Sequence, residues 1–135
     1  MASLYDKRAE REVFKPGASG KVLSVFFDNP TNYDAWELED YYKLSRKTID
    51  GAAKITPIFD GTRAGFVIER DYMNSRIKET VWLYTESCRI DVECEIDWHE
   101  HHQILKTEFP IDVHASTATY GVQFGHVVRP THANT

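Results

Sequence analysis

The pattern of apolar and polar positions is most regular in the stretch from residue 88 to residue 113. Between Ile90 and Trp98 every second residue is apolar, and the residues between them are acidic. Because strand side chains alternate between faces, this pattern predicts a β-strand with one apolar face and one row of carboxylates. We expect this strand to be the central strand of the core. The apolar positions are Ile90, Val92, Cys94, Ile96 and Trp98, and the acidic positions are Asp91, Glu93, Glu95 and Asp97.

A histidine-rich corner follows this strand and leads into a second run of β-type composition. The corner is His99-Glu100-His101-His102, and the second run extends from Ile104 to Phe109. We interpret the two runs as long neighbouring strands, antiparallel to each other, with the histidines at or near the bend.

Several other runs also predict strands. Val22 to Phe27 is β-branched and aromatic, and Ala118 to Val128 is a further strand candidate. Ala64 to Tyr72 and Arg76 to Tyr84 flank a turn, which predicts a hairpin. With roughly seven strand candidates and no convincing amphipathic helix, the pattern favours an antiparallel all-β sandwich. The residues expected to point inward in the hairpin are Phe66, Ile68, Ile77, Val81 and Leu83.

Composition and charge exclude some classes of function. A length of 135 residues suggests one domain. The formal net charge of -5, without a basic cluster, argues against a nucleic-acid-binding protein. No apolar run reaches the roughly 20 residues that span a bilayer, so no membrane partner is expected. Cys88 and Cys94 would lie about 20 Å apart along one strand, beyond disulfide reach, which suggests a reduced, cytoplasmic setting.

The segment from Tyr33 to Tyr42 is acidic and aromatic, and neither the helical nor the strand period fits it. It is either one helical turn or a long loop. Its aromatic side chains either pin the loop to the core or face a sugar, because aromatic faces stack on sugar C–H groups and loops often carry function. The second interpretation describes a stand-alone carbohydrate-binding module that uses Tyr33, Trp36 and Tyr41.

The histidine corner is a weak candidate for a metal site. On a strand, Asp97, His99 and His101 share one face, and two imidazoles two residues apart can reach one zinc ion. The four-spaced helical pair of zinc proteases is absent, because the residue three after Glu100 is Gln103. Solvated or hydrogen-bonded histidines at a strand end are the simpler interpretation.

The carboxylate row of Asp91 to Asp97 also has two interpretations. Alternate residues of a strand are ~6.6 Å apart, within the range used by the carboxyl pair of inverting glycosidases. An exposed acidic face on an edge or surface sheet explains the row more simply, and such a face could also oppose lysines and arginines on a neighbouring strand or domain. From the residues alone, the chain is a β-sandwich without an evident active site.

Short motifs along nearly the whole chain resemble the C-terminal β-sandwich region of family 38 glycoside hydrolases, the α-mannosidases, and most of all their cytosolic and bacterial branch. In chain order the motifs are Ser3-Leu4-Tyr5-Asp6-Lys7, Asp34-Ala35-Trp36, Ser75-Arg76-Ile77, Arg89-Ile90-Asp91, Asp97-Trp98-His99-Glu100, Phe109-Pro110-Ile111-Asp112-Val113-His114 and Gln123-Phe124-Gly125-His126-Val127-Val128-Arg129-Pro130-Thr131-His132-Ala133-Asn134-Thr135.

The resemblance implies a retaining, zinc-binding enzyme that hydrolyses α-mannoside glycans through a covalent mannosyl intermediate. In this family the nucleophile and most zinc ligands lie in an N-terminal α/β domain, followed by a helical bundle, and neither is present here. We therefore expect residues 1–135 to be one incomplete sandwich segment of galactose-mutarotase-like supersandwich type. It would carry no catalytic residue and no zinc, and it would dock onto the missing catalytic domain.

The resemblance also suggests which residues touch the rim of the substrate cleft. These are Arg129 and His132 from the closing motif, and Asp34 and Trp36 from the acidic-aromatic segment. Relatives often carry an acidic residue at the position of Val128, so this chain lacks a charge beside Arg129 that could orient its side chain. A truncated sandwich leaves strand edges uncovered, and we expect homo-oligomers to form through them.

Overall fold

The structure is a computed structural model that describes residues 1–33 and 36–132. Its regular elements are antiparallel strands and a short helix, which confirms the all-β prediction. The strands are β1 (Tyr5–Asp6), β2 (Arg11–Glu12), β3 (Val22–Phe27), β4 (Lys47–Thr48), β5 (Lys54–Phe59), β6 (Arg63–Tyr72), β7 (Ser75–Tyr84), β8 (Ser87–Asp97), β9 (Gln103–Glu108), β10 (Thr117–Val122) and β11 (Gly125–Pro130), and the helix is a 3₁₀-helix at Asp40–Ser45. Within the described residues, no helix has the length and apolarity needed to cross a membrane.

The chain divides into two compact units. The smaller unit comprises Met1–Lys21 and Phe109–Thr135, and the larger unit comprises Val22–Glu108. The expectation that residues 1–135 form one sandwich segment stays a prediction.

The larger unit contains two antiparallel sheets. One has three strands in the order β4-β3-β9, and the other has four strands in the order β5-β6-β7-β8. The predicted hairpin is confirmed as β6 and β7, which pair from Arg63 opposite Tyr84 to Tyr72 opposite Ser75.

The two sheets meet in one hydrophobic cluster. Its buried members are Leu23 and Val25 of β3, Ile77 of β7 and Ile49, which follows β4. Tyr72, Trp98 and Leu105 pack against them, and the Tyr72 and Trp98 rings stack with centroids 5.8 Å apart. Burying each aliphatic side chain stabilises the unit by about 1.5–3 kcal/mol. This cluster makes the larger unit a two-layer, sandwich-like structure.

The prediction that the strand after Cys88 and the run after Ile104 are neighbours is wrong. β8 pairs with β7 in the four-stranded sheet, whereas β9 pairs with β3 in the other sheet. The histidine corner therefore carries the chain from one layer to the other instead of forming a hairpin. An alternating pattern defines the two faces of a strand but not its partner, and for that reason the sequence left this pairing open.

The strand from Ile90 to Trp98 is also not central, because β8 is the last strand in the order β5-β6-β7-β8. Its apolar side chains remain partly accessible: Val92 is 37% exposed and Ile96 is 47% exposed. Trp98, which lies beyond the strand, packs against the core cluster.

The predicted inward face of the hairpin is buried over only part of its length. Ile77 and Val81 are buried, whereas Phe66 and Leu83 are exposed and Ile68 is intermediate. The cause is a difference in strand length, since β6 and β7 have ten residues each and β3 and β9 have six. The shorter layer cannot cover the whole face of the longer one.

The smaller unit contains two strand pairs, β1 with β2 and β10 with β11. The single strand predicted for Ala118 to Val128 is wrong, because the chain reverses after Val122 with Phe124 in the left-handed region at a φ of 61°. Phe14 is buried in this unit beside Gly20, where an added side chain would overlap the Phe14 ring.

Ile77→Ala is expected to lower the free energy of unfolding by about 2–5 kcal/mol, because it leaves a cavity between the two sheets. Ile55→Ala is the matched control, since Ile55 is 60% exposed on β5. We expect its effect to stay below about 1 kcal/mol. Urea denaturation followed by tryptophan fluorescence measures both effects, and equal losses would contradict the described position of the core.

Candidate functional site

The histidine corner is built around a set of hydrogen bonds that we call the turn clamp, formed by Glu100, Asn74, Ser75 and His99. The Glu100 carboxylate accepts hydrogen bonds from the backbone N–H of Asn74 and from the Ser75 hydroxyl, both at 2.8 Å. The Ser75 hydroxyl oxygen in turn accepts a hydrogen bond from the backbone N–H of His99 at 2.8 Å. Ser75 is only 2% exposed, so its hydroxyl needs these partners. The clamp fixes the β6–β7 turn to the end of β8.

The turn clamp holds Glu100 in its ionised form. The hydrogen bond from the Ser75 hydroxyl, followed by that from the Asn74 backbone, lowers the pKa of Glu100 below its ordinary value of 4.5, against an opposing effect of burial. Hydrogen bonds donated to a carboxylate favour its charged form. Glu100 is therefore an acceptor at neutral pH and is poorly suited to donate a proton.

Two of the three candidate metal ligands lie together. The His99 Nε2 atom is 2.9 Å from the Asp97 Oδ1 atom, and both side chains are more than half exposed. His101 is exposed too. Across the described residues, no group of three or more histidine, cysteine, aspartate or glutamate side chains is placed to hold a metal ion. A structural zinc ion takes four ligands, so Asp97 and His99 are too few to fit it, and we assign no step to zinc at this corner.

The carboxylate row lies on one face of β8, and part of it opposes cations of β7. Lys78 Nζ is 2.6 Å from Glu95 Oε1, whereas Arg76, the register partner of Asp97, turns to Glu69 of β6 at 2.6 Å. The Tyr84 hydroxyl and the Arg89 guanidinium both donate to Asp91. These contacts agree with the simpler interpretation of the row as an acidic face that opposes lysine and arginine.

The pKa of Asp91 moves in the direction opposite to that of a catalytic acid. The hydrogen bond from Tyr84, followed by that from Arg89, lowers the pKa of Asp91 below its ordinary value. A glycosidase acid must keep its proton near neutral pH, which requires a raised pKa. Asp91 therefore serves as an ion-pair partner at the surface.

The sequence analysis missed a contact between an aromatic ring and a cation on the sheet face that carries the carboxylate row. The Arg63 guanidinium carbon lies 4.0 Å from the centroid of the Trp82 ring, and Arg63 Nε is 2.6 Å from Asp60 Oδ2. Trp82 is only 9% exposed and Arg63 lies over its ring, so little of the ring face is available to stack on a sugar. The β6–β7 register places these residues together, and the sequence does not give that register.

The acidic-aromatic segment combines anchored and exposed aromatic side chains. The Tyr42 ring packs edge-on against Phe26 with centroids 5.3 Å apart, and the Tyr41 hydroxyl donates to the backbone carbonyl of Asn29 at 2.9 Å. In contrast, Tyr33 is 74% exposed and Trp36 is 88% exposed. Part of the segment is therefore held against β3, and part presents aromatic surface outward.

The four candidate cleft-rim residues are distributed over both units. Trp36 belongs to the larger unit, and Asp34 lies outside the described residues. Arg129 is an exposed residue of β11 in the smaller unit, opposite Ala118, and His132 follows that strand. Among the described residues Arg129 has no ion-pair partner, and Val128 beside it is 54% exposed. Their role at a cleft rim stays a prediction.

Comparison with known proteins identifies the family. Residues 1–135 match the family described as the glycosyl hydrolases family 38 C-terminal domain. The chain belongs to this family. The resemblance drawn from the motifs is thus confirmed, and the turn clamp joins two of those motifs, Ser75-Arg76-Ile77 and Asp97-Trp98-His99-Glu100.

Relatives of this family 38 domain are named as α-mannosidases. The chain is 37% identical to Alpha-mannosidase 2C1 of Homo sapiens over 140 residues and 36% identical to that of Mus musculus. It is 32% identical to Alpha-mannosidase G of Dictyostelium discoideum over 145 residues. Each match covers 100% of this chain but 13% of the relative, so the chain spans about an eighth of the length of these enzymes.

Glu100→Gln is expected to destabilise the domain at neutral pH, because the turn clamp loses its charged acceptor. The folded-state pKa of Glu100 is lowered, so its contribution is present above the unfolded value near 4.5. The contribution is lost as the pH falls through the folded value. Urea denaturation at a series of pH values should show a stability difference between variant and wild type that disappears in acid.

The control for this experiment is His101→Gln, which alters an exposed neighbour outside the turn clamp. We expect it to leave the urea midpoint unchanged across the same pH series. A difference between Glu100→Gln and wild type that persists undiminished in acid would contradict the charged role of Glu100.

Proposed function

We propose that this domain is a structural and docking part of a retaining, zinc-dependent α-mannosidase and takes no part in the bond-breaking step. The observation that carries the proposal is the family match over the whole chain, together with relatives named α-mannosidases of which the chain spans 13%. The parent polypeptide would hydrolyse α-mannosides in glycan catabolism.

The surface chemistry of the domain supports a non-catalytic role. Retaining glycosidases need a nucleophilic carboxylate and an acid/base carboxylate about 5 Å apart, with environments that separate their pKa values. The carboxylates of Asp91, Glu95 and Glu100 are instead bound to cations or hydrogen-bond donors. In this proposal the nucleophilic residue of the parent enzyme and the residues that bind its zinc ion lie outside residues 1–135.

The domain contributes to substrate binding only at the rim of the cleft. We assign this role to Arg129, His132, Asp34 and Trp36. The exposure of Trp36 and Arg129 supports it, since an arginine fork and an aromatic face both suit sugar hydroxyl and C–H groups. The exposed thiols of Cys88 and Cys94, which are not joined in a disulfide, support a reducing, cytoplasmic location for the parent enzyme.

The test of this proposal is hydrolysis of an aryl α-mannoside with zinc present. The intact polypeptide that contains this domain should hydrolyse it with retention of configuration and should lose activity when residues 1–135 are deleted. The isolated chain should show no turnover above buffer. An intact polypeptide without α-mannosidase activity would contradict the enzymatic assignment, and turnover by the isolated chain would contradict the non-catalytic role.

The exposed aromatic side chains of the acidic-aromatic segment favour a second candidate function, a stand-alone carbohydrate-binding module. Tyr33, Trp36 and Tyr41 are all exposed there, and Glu37 and Glu39 supply carboxylates for hydroxyl groups.

Calorimetry of the isolated chain with mannose and mannobiose separates the two functions. The docking function predicts no measurable heat of binding. Saturable binding that Trp36→Ala abolishes, while Phe124→Ala leaves it unchanged, would instead support the carbohydrate-binding module. Phe124 is a suitable control because it is a fully exposed aromatic residue elsewhere in the chain.

A further inference from the structure

The outer edge of β8 is an open strand edge. In the part of the chain that the structure describes, β8 pairs with β7 on one side and with no strand on the other. About half of the backbone N–H and C=O groups of an edge strand point away from its single partner. The opposite edge strand of this sheet, β5, contains Pro57, which has no N–H to donate. β8 is longer, with eleven residues, and contains no proline.

The side chains of β8 define what kind of strand can pair with this edge. Val92 and Ile96 are partly exposed on one face, where Cys94 is exposed as well. Glu93 and Glu95 are exposed on the other face. A strand added beside β8 would therefore meet apolar groups on one face and carboxylates on the other.

The charge of the second face opposes pairing between two copies of β8. Paired strands share their faces, so the carboxylates of one copy would lie opposite those of the other. In an antiparallel register centred on Cys94, Glu93 would face Glu95, and Asp91 would face Asp97. Asp91 and Glu95 already have cationic partners in Arg89 and Lys78, so the repulsion comes chiefly from Glu93 and Asp97. Like charges directly opposite each other destabilise a sheet. The expected formation of homo-oligomers through strand edges stays a prediction, but this edge is a poor place for it.

The strand that already pairs with β8 indicates the complementary pattern. β7 places Lys78 opposite Glu95 and Arg76 opposite Asp97, and the Lys78–Glu95 pair closes to 2.6 Å. On the other face β7 places Val81 opposite Val92 and Ile77 opposite Ile96. Elsewhere β7 departs from this pattern, with Thr80 opposite Glu93, Trp82 opposite Asp91 and Glu79 opposite Cys94. A strand that alternates apolar with cationic residues would complement the apolar face and the carboxylate of Glu93, which β7 leaves without a cationic register partner.

We propose that the free edge of β8 pairs with an extended segment of the same polypeptide that lies outside residues 1–135 and alternates apolar with cationic residues. The inference rests on the proposed function, because it takes the chain as one domain of a longer α-mannosidase. The length of the relatives supports this source, since 13% of each is matched here. It goes beyond that function by naming the docking surface and the chemistry of its partner.

Hydrogen exchange measured by mass spectrometry tests the source of the partner strand. Peptides covering β8 should exchange markedly more slowly in the intact polypeptide than in the isolated 135-residue chain, because pairing protects outward-pointing N–H groups. Peptides covering β7 are the internal control, since β7 has a strand on each side in both samples. Equal exchange of β8 in the two samples would overturn the proposal.

A synthetic peptide tests the chemistry of the edge on the isolated chain. A peptide of about nine residues that alternates valine with lysine should bind about tenfold more tightly at low salt than one that alternates valine with glutamate. Added salt should remove the difference. Binding should slow the exchange of β8 amides, and equal affinity of the two peptides would count against the charge argument.

Glu93→Gln is the variant that probes this edge directly, because Glu93 is exposed and its register partner is the uncharged Thr80. We expect it to weaken binding of the lysine peptide by about threefold. Glu86→Gln removes an exposed carboxylate outside β8 and should leave the affinity unchanged. Slowed exchange of β8 at high protein concentration without peptide would indicate pairing of two copies and would also overturn the proposal.

These outcomes are independent of the test of the proposed function. A polypeptide that hydrolyses aryl α-mannosides while its β8 edge stays unprotected would retain the enzymatic assignment and lose only the edge proposal. A protected β8 edge in a polypeptide without α-mannosidase activity would retain the edge pairing and remove the enzymatic assignment.

Discussion

Ile77 lies fully buried where β7 of the longer sheet crosses Leu23 and Val25 of the shorter one. This contact is the constraint on which the larger unit depends, because each sheet has one face that must leave water. The stacked rings of Tyr72 and Trp98 extend it to the end of the hairpin. The shorter layer ends before the longer one does, so the remaining apolar face, including Phe66 and Leu83, stays accessible within this chain.

The polar groups beside this core form hydrogen bonds and ion pairs that hold the fold together. Ser75 is buried at the β6–β7 turn, and Glu100 and the backbone of His99 satisfy its hydroxyl. On the opposite face of the sheet, Glu95 pairs with Lys78, and Asp91 accepts hydrogen bonds from Tyr84 and Arg89. The hydrogen bonds to Asp91 and Glu100 lower the pKa of these two carboxyl groups, which suits acceptors and ion pairs but not a proton donor. In the proposed function, this domain contributes shape and binding surface to the enzyme while the chemistry takes place elsewhere.

An uncovered apolar face and an open strand edge both leave groups without partners, apolar side chains in the first case and backbone N–H and C=O groups in the second. Another layer or strand can cover either of them. In family 38 relatives most of the polypeptide lies beyond the part matched by this chain. In the proposed pairing, the exposed acidic residues of β8, Glu93 above all, would favour a cationic strand and oppose a second copy of the same chain.

The sequence by itself determined the class of structure, the β6–β7 hairpin and the family, because side-chain alternation, turn residues and short motifs are local properties. It did not determine that β8 lies at an edge, that the histidine corner joins two sheets, or that residues 118–128 fold back at Phe124. Those features depend on which strands pair, and pairing is decided by contacts between residues far apart in the chain. The turn clamp shows the difference most clearly. Ser75 and Glu100 are 25 residues apart, and only the packing of both sheets around Ile77 brings hydroxyl and carboxylate together.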